Sequence, residues 1–174
     1  MKKNLTTNYY LPTTILGIDP GFSRMGIAII NKNAKGEILL HSECFETDSK
    51  LHHSQRLFLV AEKLEEIIEK FKPEKMAIET LLFSKNAKTA MRVAEARGVI
   101  LATAAKNKLK IIEYNPNTIK LAVTGYGKSD KKQIISMIHK ILKVDREIKH
   151  DDEYDAIAIA LTSAAISLST EKFV

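Results

Sequence analysis

The sequence predicts an α/β protein in which helices flank a mixed five-stranded sheet, and three observations lead to this prediction. Three short apolar segments near the N-terminus are joined by tight polar turns, which is typical of an antiparallel meander. From residue 52 the apolar spacing changes from about two residues to about 3.6, which indicates helices. Two later apolar segments each follow a helix, so their strands should be parallel and joined by right-handed crossovers.

The predicted meander occupies the first 45 residues. Residues 15–18 form a short buried strand that ends at the turn sequence Asp19-Pro20-Gly21. A second strand runs over 25–30. The polar turn after it, 31–36, ends in a glycine and leads into a third strand over 37–45. Because both connections are short, these three strands should pair antiparallel in chain order.

Helices and strands then alternate before the chain ends in three helices. Apolar residues recur at helical spacing over 52–71, a segment that ends before Pro73. The segments 75–79 and 110–114 predict the fourth and fifth strands. The other predicted helices cover 86–107, a short segment that begins at Asn115-Pro116, 130–143 and 152–169.

Length and composition fit one globular domain. The chain has 174 residues, 45% of them hydrophobic and 28% charged, so neither a disordered polyelectrolyte nor a membrane protein is expected. No run of roughly 18 apolar residues predicts a membrane span. Because the lone Cys44 cannot form an internal disulfide, we expect a cytoplasmic protein with no membrane partner. We interpret residues 1–12 as a flexible extension and 13–174 as a single domain.

The formal net charge of +6 hides two unlike regions. Residues 85–149 hold 15 basic and 5 acidic groups, a net of +10, whereas residues 150–174 hold one basic and five acidic groups, a net of −4. Polyphosphate backbones attract the first kind of region, and divalent cations attract the second. The distribution therefore favours a nucleic-acid partner and a metal site close together.

Four carboxylates stand out by position. Asp19 and Glu79 each end a predicted strand, and the carboxyl edge of parallel strands is where sites gather in α/β sheets. Asp152 and Asp155 are three residues apart at the start of the last helix, so both face one side of it. Ordinary explanations exist: Asp19 suits a turn, and the helix-start pair complements a helix dipole. Glu79 is harder to dismiss, because a buried carboxylate needs a cationic partner.

Clustered carboxylates of this kind suit a hard cation, Mg²⁺ or Mn²⁺. A two-metal site would hold its ions about 4 Å apart, one activating water and one stabilising the leaving oxygen of a phosphodiester.

The basic region offers candidate nucleic-acid contacts. Lys85, Lys120, Lys128 and Lys131 lie close in sequence to the acidic residues, and Arg92 and Arg97 add charge to the helix between them. A solvated helix face is the usual explanation for such charge. Two aromatic residues, Phe83 and Tyr126, could stack on bases or belong to the core.

The helix over 86–107 carries small residues at helical spacing, which allows close packing against the sheet or across a dimer axis. These are Ala87, Ala90, Ala94 and Gly98, followed by Leu101 and Ala105.

Five motifs together resemble the RuvC family of Holliday junction resolvases over about residues 14–165. They are residues 15–21 (ILGIDPG), 77–79 (AIE), 85–87 (KNA), 96–98 (ARG) and 152–160 (DEYDAIAIA). The order and spacing are similar to those of the family. The resemblance differs at one position: the family often has an aromatic residue three positions after the motif glutamate, where this chain has Leu82 followed by Phe83.

The resemblance implies a ribonuclease H-like fold and a homodimer that resolves four-way DNA junctions in recombination and repair by symmetrical, Mg²⁺-dependent nicking. It implies RuvA and RuvB as partners in branch migration. The family's catalytic and metal-binding acids fall on Asp19, Glu79, Asp152 and Asp155, and its DNA-contacting lysines on Lys120 and Lys131. Cleavage would leave 5′-phosphate and 3′-hydroxyl ends. Other candidate functions are a nuclease acting on structured RNA, a junction-binding protein without catalysis, and an actin-like nucleotide-binding module.

Overall fold

The computed structural model describes residues 12–80, 87–144 and 146–166, with side chains from residue 90 onwards in the second range. Its centre is a five-stranded sheet in the spatial order β3-β2-β1-β4-β5. The strands are β1 (Thr13–Asp19), β2 (Arg24–Asn33), β3 (Gly36–Glu46), β4 (Lys75–Glu79) and β5 (Lys110–Tyr114).

The pairing of the strands confirms the predicted mixed sheet. β1 and β2 pair antiparallel, as do β2 and β3, whereas β4 pairs parallel with both β1 and β5. β1 therefore lies at the centre, next to the first strand of the parallel half. Its register with β4 ends at Ile18 opposite Ile78, so the next residues, Asp19 and Glu79, end the two strands side by side.

Five helices follow the predicted order, and their ends agree with the predicted ones to within a few residues. They are α1 (His53–Phe71), α2 (Ala87–Lys106), α3 (Pro116–Thr124), α4 (Lys131–Ile141) and α5 (Asp151–Ala165). Side-chain caps set two of the starts. The Asn115 side chain accepts a hydrogen bond from the Thr118 amide, and Asp130 forms a capping box with Gln133.

The core lies on both faces of the sheet. On one face, alternate residues of the inner strands such as Leu16, Ile18 and Ile27 pack with α1 and α2. On the other face, Ile15, Ala28 and Ala77 pack with α3, α4 and α5. The strand alternation of side chains explains why neighbouring residues serve different layers.

The last helix lies close against the centre of the sheet, which is why almost all of α5 from Ala156 to Ala164 is buried. Two glycines permit this approach. A Cβ at Gly17 would lie 2.4 Å from the Ala156 carbonyl oxygen, and a Cβ at Gly26 only 1.9 Å from the Asp152 carbonyl oxygen. The two glycines thus let the N-terminal turns of α5 pack directly against the backbone of β1 and β2.

Among the described residues, no helix has the length and apolar character needed to cross a bilayer.

Candidate active site

Four carboxyl groups converge at the C-terminal edge of β1 and β4. Asp19 is the last residue of β1 and Glu79 the last residue of β4. Asp152 and Asp155 project from the first turns of α5, which packs on β1 and β2. Neighbouring parallel strands and one overlying helix therefore deliver the four side chains to one place.

The electrostatics of Asp19 shows how close the four groups are. Burial, followed by the carboxylates of Asp155, Glu79 and Asp152 in that order, raises the pKa of Asp19 from 3.8 to about 7, against the opposing charge of Lys131. Like charges at short range disfavour ionisation of each other. Asp19 is thus the carboxyl at the centre of the group, surrounded by the other three.

The pKa values of Glu79 and Asp155 are shifted by the same causes, burial and the nearby Lys131. Burial, followed by repulsion from Asp155, raises the pKa of Glu79, while Lys131 and Lys120 lower it. Burial also raises the pKa of Asp155, although a hydrogen bond from Lys131 Nζ to Asp155 Oδ2 of 2.5 Å acts in the opposite direction. Among the described residues Glu79 has two cationic neighbours, Lys131 and Lys120, as its buried strand predicts.

A third cation, Arg24, faces the cluster from the start of β2. The guanidinium Nε of Arg24 lies 3.3 Å from Asp152 Oδ2. The sequence reasoning missed this residue. The signal was available in the hairpin: Asp19 pairs with Gly26, so residues just before Gly26 return to the same sheet edge.

The turn between β1 and β2 is fixed by residues of α1 and α2, of which the sequence reasoning named only Arg92. Arg56, a buried residue of α1, donates hydrogen bonds of 2.8 Å to Thr47 Oγ1 and Ser23 Oγ. Its guanidinium also lies 4.7 Å from the centre of the Phe22 ring, and Arg92 lies over the same ring at 5.4 Å. The loop that leads from Asp19 to Arg24 is therefore held by α1 and α2.

The donor set fits a divalent cation. Four carboxyl groups share a partly buried edge, and two of the cations near them, Lys131 and Arg24, each pair with one carboxylate. Burial is the largest cause of the raised pKa of Asp19, and the three carboxylates near it add to that cause against Lys131. Oxygen ligands in this number are the kind that Mg²⁺ or Mn²⁺ prefers.

Of the residues predicted to contact nucleic acid, two lysines lie beside the carboxylates and one is exposed on a turn. Lys120 lines a small cavity with Glu79 and Asp155, Lys131 contacts Asp155, and Lys128 is exposed. Tyr126 is 58% exposed and is therefore not a core residue. Phe83, Lys85 and Leu82 lie outside the described residues.

Arg97 does not add to a basic surface. Its Nη2 lies 2.5 Å from Glu113 Oε2 on β5, and both side chains are largely buried. The pair neutralises the charge of Arg97 locally and links α2 to the sheet.

Comparisons with known proteins agree with this geometry. The sequence model of the family described as crossover junction endodeoxyribonuclease RuvC matches residues 15–163. The chain is 43% identical over 148 residues to the crossover junction endodeoxyribonuclease RuvC of Caldicellulosiruptor saccharolyticus, covering 84% of this chain and 89% of that protein. It is 41% identical over 147 residues to the RuvC of Halothermothrix orenii, with the same coverage of each.

Solved structures give the same result. RuvC of T. thermophilus in complex with a Holliday junction substrate superposes with a TM-score of 0.87 at 29% identity, covering 93% of this chain and 99% of that one. The yeast mitochondrial Holliday junction resolvase Ydc2 shares the fold, with a TM-score of 0.66 at 15% identity over 91% of this chain and 82% of that one. The ribonuclease H-like architecture is thus confirmed, and the chain belongs to the RuvC family of crossover junction endodeoxyribonucleases.

Proposed function

We propose that this protein is a Mg²⁺-dependent endonuclease that resolves four-way DNA junctions by paired, symmetrical nicks. The observation that carries the proposal is the convergence of four carboxyl groups around Asp19 at one sheet edge, with Lys131 and Lys120 beside them. Membership of the RuvC family supports the substrate class, because the related T. thermophilus protein was solved with a Holliday junction.

In this proposal Asp19, Glu79, Asp152 and Asp155 hold the metal, and two ions are the number that we expect. Bound Mg²⁺ would supply an activated water and neutralise charge on the leaving oxygen. Asp19 interacts with the other three carboxyl groups, so it is the common ligand of the set. Glu79, the last residue of β4, would help to hold the metal or orient the attacking water.

The lysines have a second role in the proposal. Without metal, Lys131 pairs with Asp155 and limits repulsion within the cluster. With Asp155 bound to a metal, Lys131 would be available to contact a phosphate of the DNA, as would Lys120, which lines a cavity with Glu79 and Asp155. Lys128 is exposed on the turn before α4 and stays a predicted backbone contact, as do Phe83 and Lys85.

Junction cleavage tests the proposal directly. A synthetic four-way junction with a label on each strand in turn, incubated with Mg²⁺, should be nicked at symmetrical positions on two opposing strands. Glu79→Gln keeps the size of the side chain but removes its charge, and should lower the cleavage rate by about a hundredfold or more. The measurement is the single-turnover rate on denaturing gels.

The matched control is Asp151→Asn, which makes the same chemical change at an exposed neighbour of the cluster and should cut close to the wild-type rate. Linear duplex cut as fast as the junction would contradict the substrate assignment. Undiminished cutting by Glu79→Gln would contradict the role of that carboxylate.

We also propose that the active form is a homodimer, because one active site per chain calls for two copies to cut two strands. The exposed side of α2 supports this. Its buried side uses Ala96, Ile100 and Ala104, whereas Gly98 has nothing within 4 Å of where a Cβ would be. An exposed stripe of small or apolar residues follows the same side of the helix; it comprises Met91, Ala94, Gly98, Ala102 and Ala105. RuvA and RuvB stay predicted partners.

Gly98→Arg should therefore separate the dimer. The longer, charged side chain would prevent close helix approach, and we expect the dimer dissociation constant to rise by about 30-fold or more, the effect of a central interface residue. Sedimentation equilibrium measures it. Ser136→Arg, the same replacement at an exposed position of α4, is the control that should remain dimeric. If Gly98→Arg left the dimer dissociation constant unchanged, the dimer contact could not be at this side of α2.

A further inference from the structure

A group of side chains outside the carboxylate cluster lies between the edge strand β3 and the start of α5. Because side chains alternate along a strand, Ser42, Cys44 and Glu46 point to one face of β3, the face covered by α5. Ser42 Oγ donates a 2.7 Å hydrogen bond to Glu153 of α5, which fixes this part of the contact. The two residues further along the strand then come to lie beside His150.

Three different donor atoms meet there. One ligand atom each from Cys44, Glu46 and His150 lies within 4.8 Å of the others, and His150 Nδ1 is 3.8 Å from Glu46 Oε1. In a tetrahedral zinc site with bonds of roughly 2.0–2.3 Å, neighbouring ligand atoms are roughly 3.3–3.8 Å apart. Small side-chain rotations would close the remaining gap, and Glu46 is exposed enough to make them.

The surroundings of this group are compatible with a cation. His150 occupies the N-cap position of α5 but makes no side-chain cap hydrogen bond, so its ring is available. Besides burial, the charges of Asp152 and Glu46 raise the pKa of the Cys44 thiol to about 11, against Arg24. The nearby carboxylates of Asp152 and Glu46 would stabilise a dication bound at this place.

The type of donor decides which metal would bind. Thiolate sulfur and imidazole nitrogen suit Zn²⁺ rather than Mg²⁺, which prefers carboxylate oxygen and water. We propose that Cys44, Glu46 and His150 form a Zn²⁺ site, separate from the carboxylate cluster, that ties β3 to the N-terminus of α5. Three protein ligands leave the fourth position to water. As the zinc–sulfur bond forms, the thiol proton leaves to solvent.

The site would act on the position of α5. His150 directly precedes the turn that carries Asp152, so a metal that joins His150 to β3 would restrain the start of the helix. The proposal does not depend on the nuclease function, because metal binding can be measured without any DNA.

Co²⁺ is the probe that separates this site from the carboxylate cluster. Only thiolate ligation gives a sulfur-to-cobalt charge-transfer absorption in the near ultraviolet. Full-length protein stripped with a chelator and saturated with Mg²⁺ should show this band with one Co²⁺ per chain, and Zn²⁺ should remove it by displacement. Cys44→Ser should abolish the band. His150→Gln and Glu46→Gln should weaken Co²⁺ binding by more than the roughly 10-fold to 100-fold of an outer-shell change.

His139→Gln is the matched control, since His139 is an exposed histidine that contacts Tyr154 instead of this group. It should bind Co²⁺ as the wild type does. Circular dichroism should show that the variants fold, and Glu46→Gln, at an exposed position, tests the site even if Cys44→Ser does not fold. Absence of the band in the wild type, or a band unaffected by His150→Gln and Glu46→Gln, would overturn the proposal.

Discussion

Replacing Asp19 with Asn is expected to abolish Mg²⁺-dependent junction cleavage and, at the same time, to stabilise the metal-free protein at pH 8.5. The reason is the pKa of Asp19, which burial and three neighbouring carboxylates raise from 3.8 to about 7. The folded protein therefore holds a proton that the unfolded chain releases near pH 4. The stability linked to that proton is fully present below about pH 4 and is lost as the pH rises through 7.

The size of the effect follows from the shift. Three pKa units correspond to on the order of a few kcal/mol, and partial exposure of Asp19 to solvent reduces this figure. Asn cannot ionise, so it avoids the cost of an ionised Asp19 above pH 7. We expect the free energy of unfolding of Asp19→Asn to exceed that of the wild type at pH 8.5 in chelator, and the difference to shrink towards pH 5.

Urea denaturation of both proteins at several pH values measures this difference, and the titrating groups that do not interact with Asp19 cancel in the comparison. Added Mg²⁺ should stabilise the wild type and have little effect on Asp19→Asn, because ligand binding stabilises only a protein that binds it. Asp151→Asn should follow the wild type in both respects. A stability difference that does not change between pH 5 and pH 8.5 would mean that Asp19 is not the strained carboxyl at the centre of the cluster.

The strand ends explain why the candidate site could be predicted from the sequence. Asp19 and Glu79 follow short apolar runs, and parallel strands that are neighbours must end at the same edge. The spacing of Asp152 and Asp155 puts both on one side of a helix whatever that helix packs against. Strand ends and helix spacing therefore identified the four carboxylates as candidates, and the pairing of β1 with β4 brings Asp19 next to Glu79.

Contacts between elements could not be predicted in the same way. The partner of Arg24 depends on how α5 sits above the β1–β2 hairpin, and the meeting of Cys44 with His150 depends on the register of β3. From the sequence, the small residues of α2 could pack either against the sheet or against a second copy of the chain across a dimer axis. The choice depends on how the helix is rotated about its axis, and the structure turns Ala96 and Ile100 towards the sheet while Gly98 faces outwards. Helix rotation and strand register come from the packed core as a whole.

Replacing Gly26 with Ala is expected to damage the site without touching any of its side chains. Gly26 pairs with Asp19 across the hairpin and lies directly beneath the first turn of α5. A Cβ there would be 1.9 Å from the Asp152 carbonyl oxygen and 3.2 Å from Ala156 Cβ. The obstructing atom is backbone, so α5 must move by more than about 1 Å to restore ordinary contact.

Two effects should follow. Overpacking should lower the free energy of unfolding by about 1–3 kcal/mol, and displacement of Asp152 and Asp155 from Asp19 should cut cleavage by about a hundredfold. Ala is intrinsically the better strand residue by about 0.5–1 kcal/mol, so the loss of stability can come only from the contact with α5. Thermal unfolding, Mg²⁺ titration and the junction assay measure the two effects separately.

Gly127→Ala is the matched control, because its added methyl group would lie 3.6 Å from the Asn117 carbonyl oxygen, an ordinary contact. It should keep wild-type stability and Mg²⁺ affinity. If Gly26→Ala also kept both, the close approach of α5 to β2 would not be what positions the carboxylates. If it lost Mg²⁺ affinity while still folding, the glycine would be a positioning residue: it contributes no ligand, and its missing side chain lets the helix bring two ligands to the strand ends.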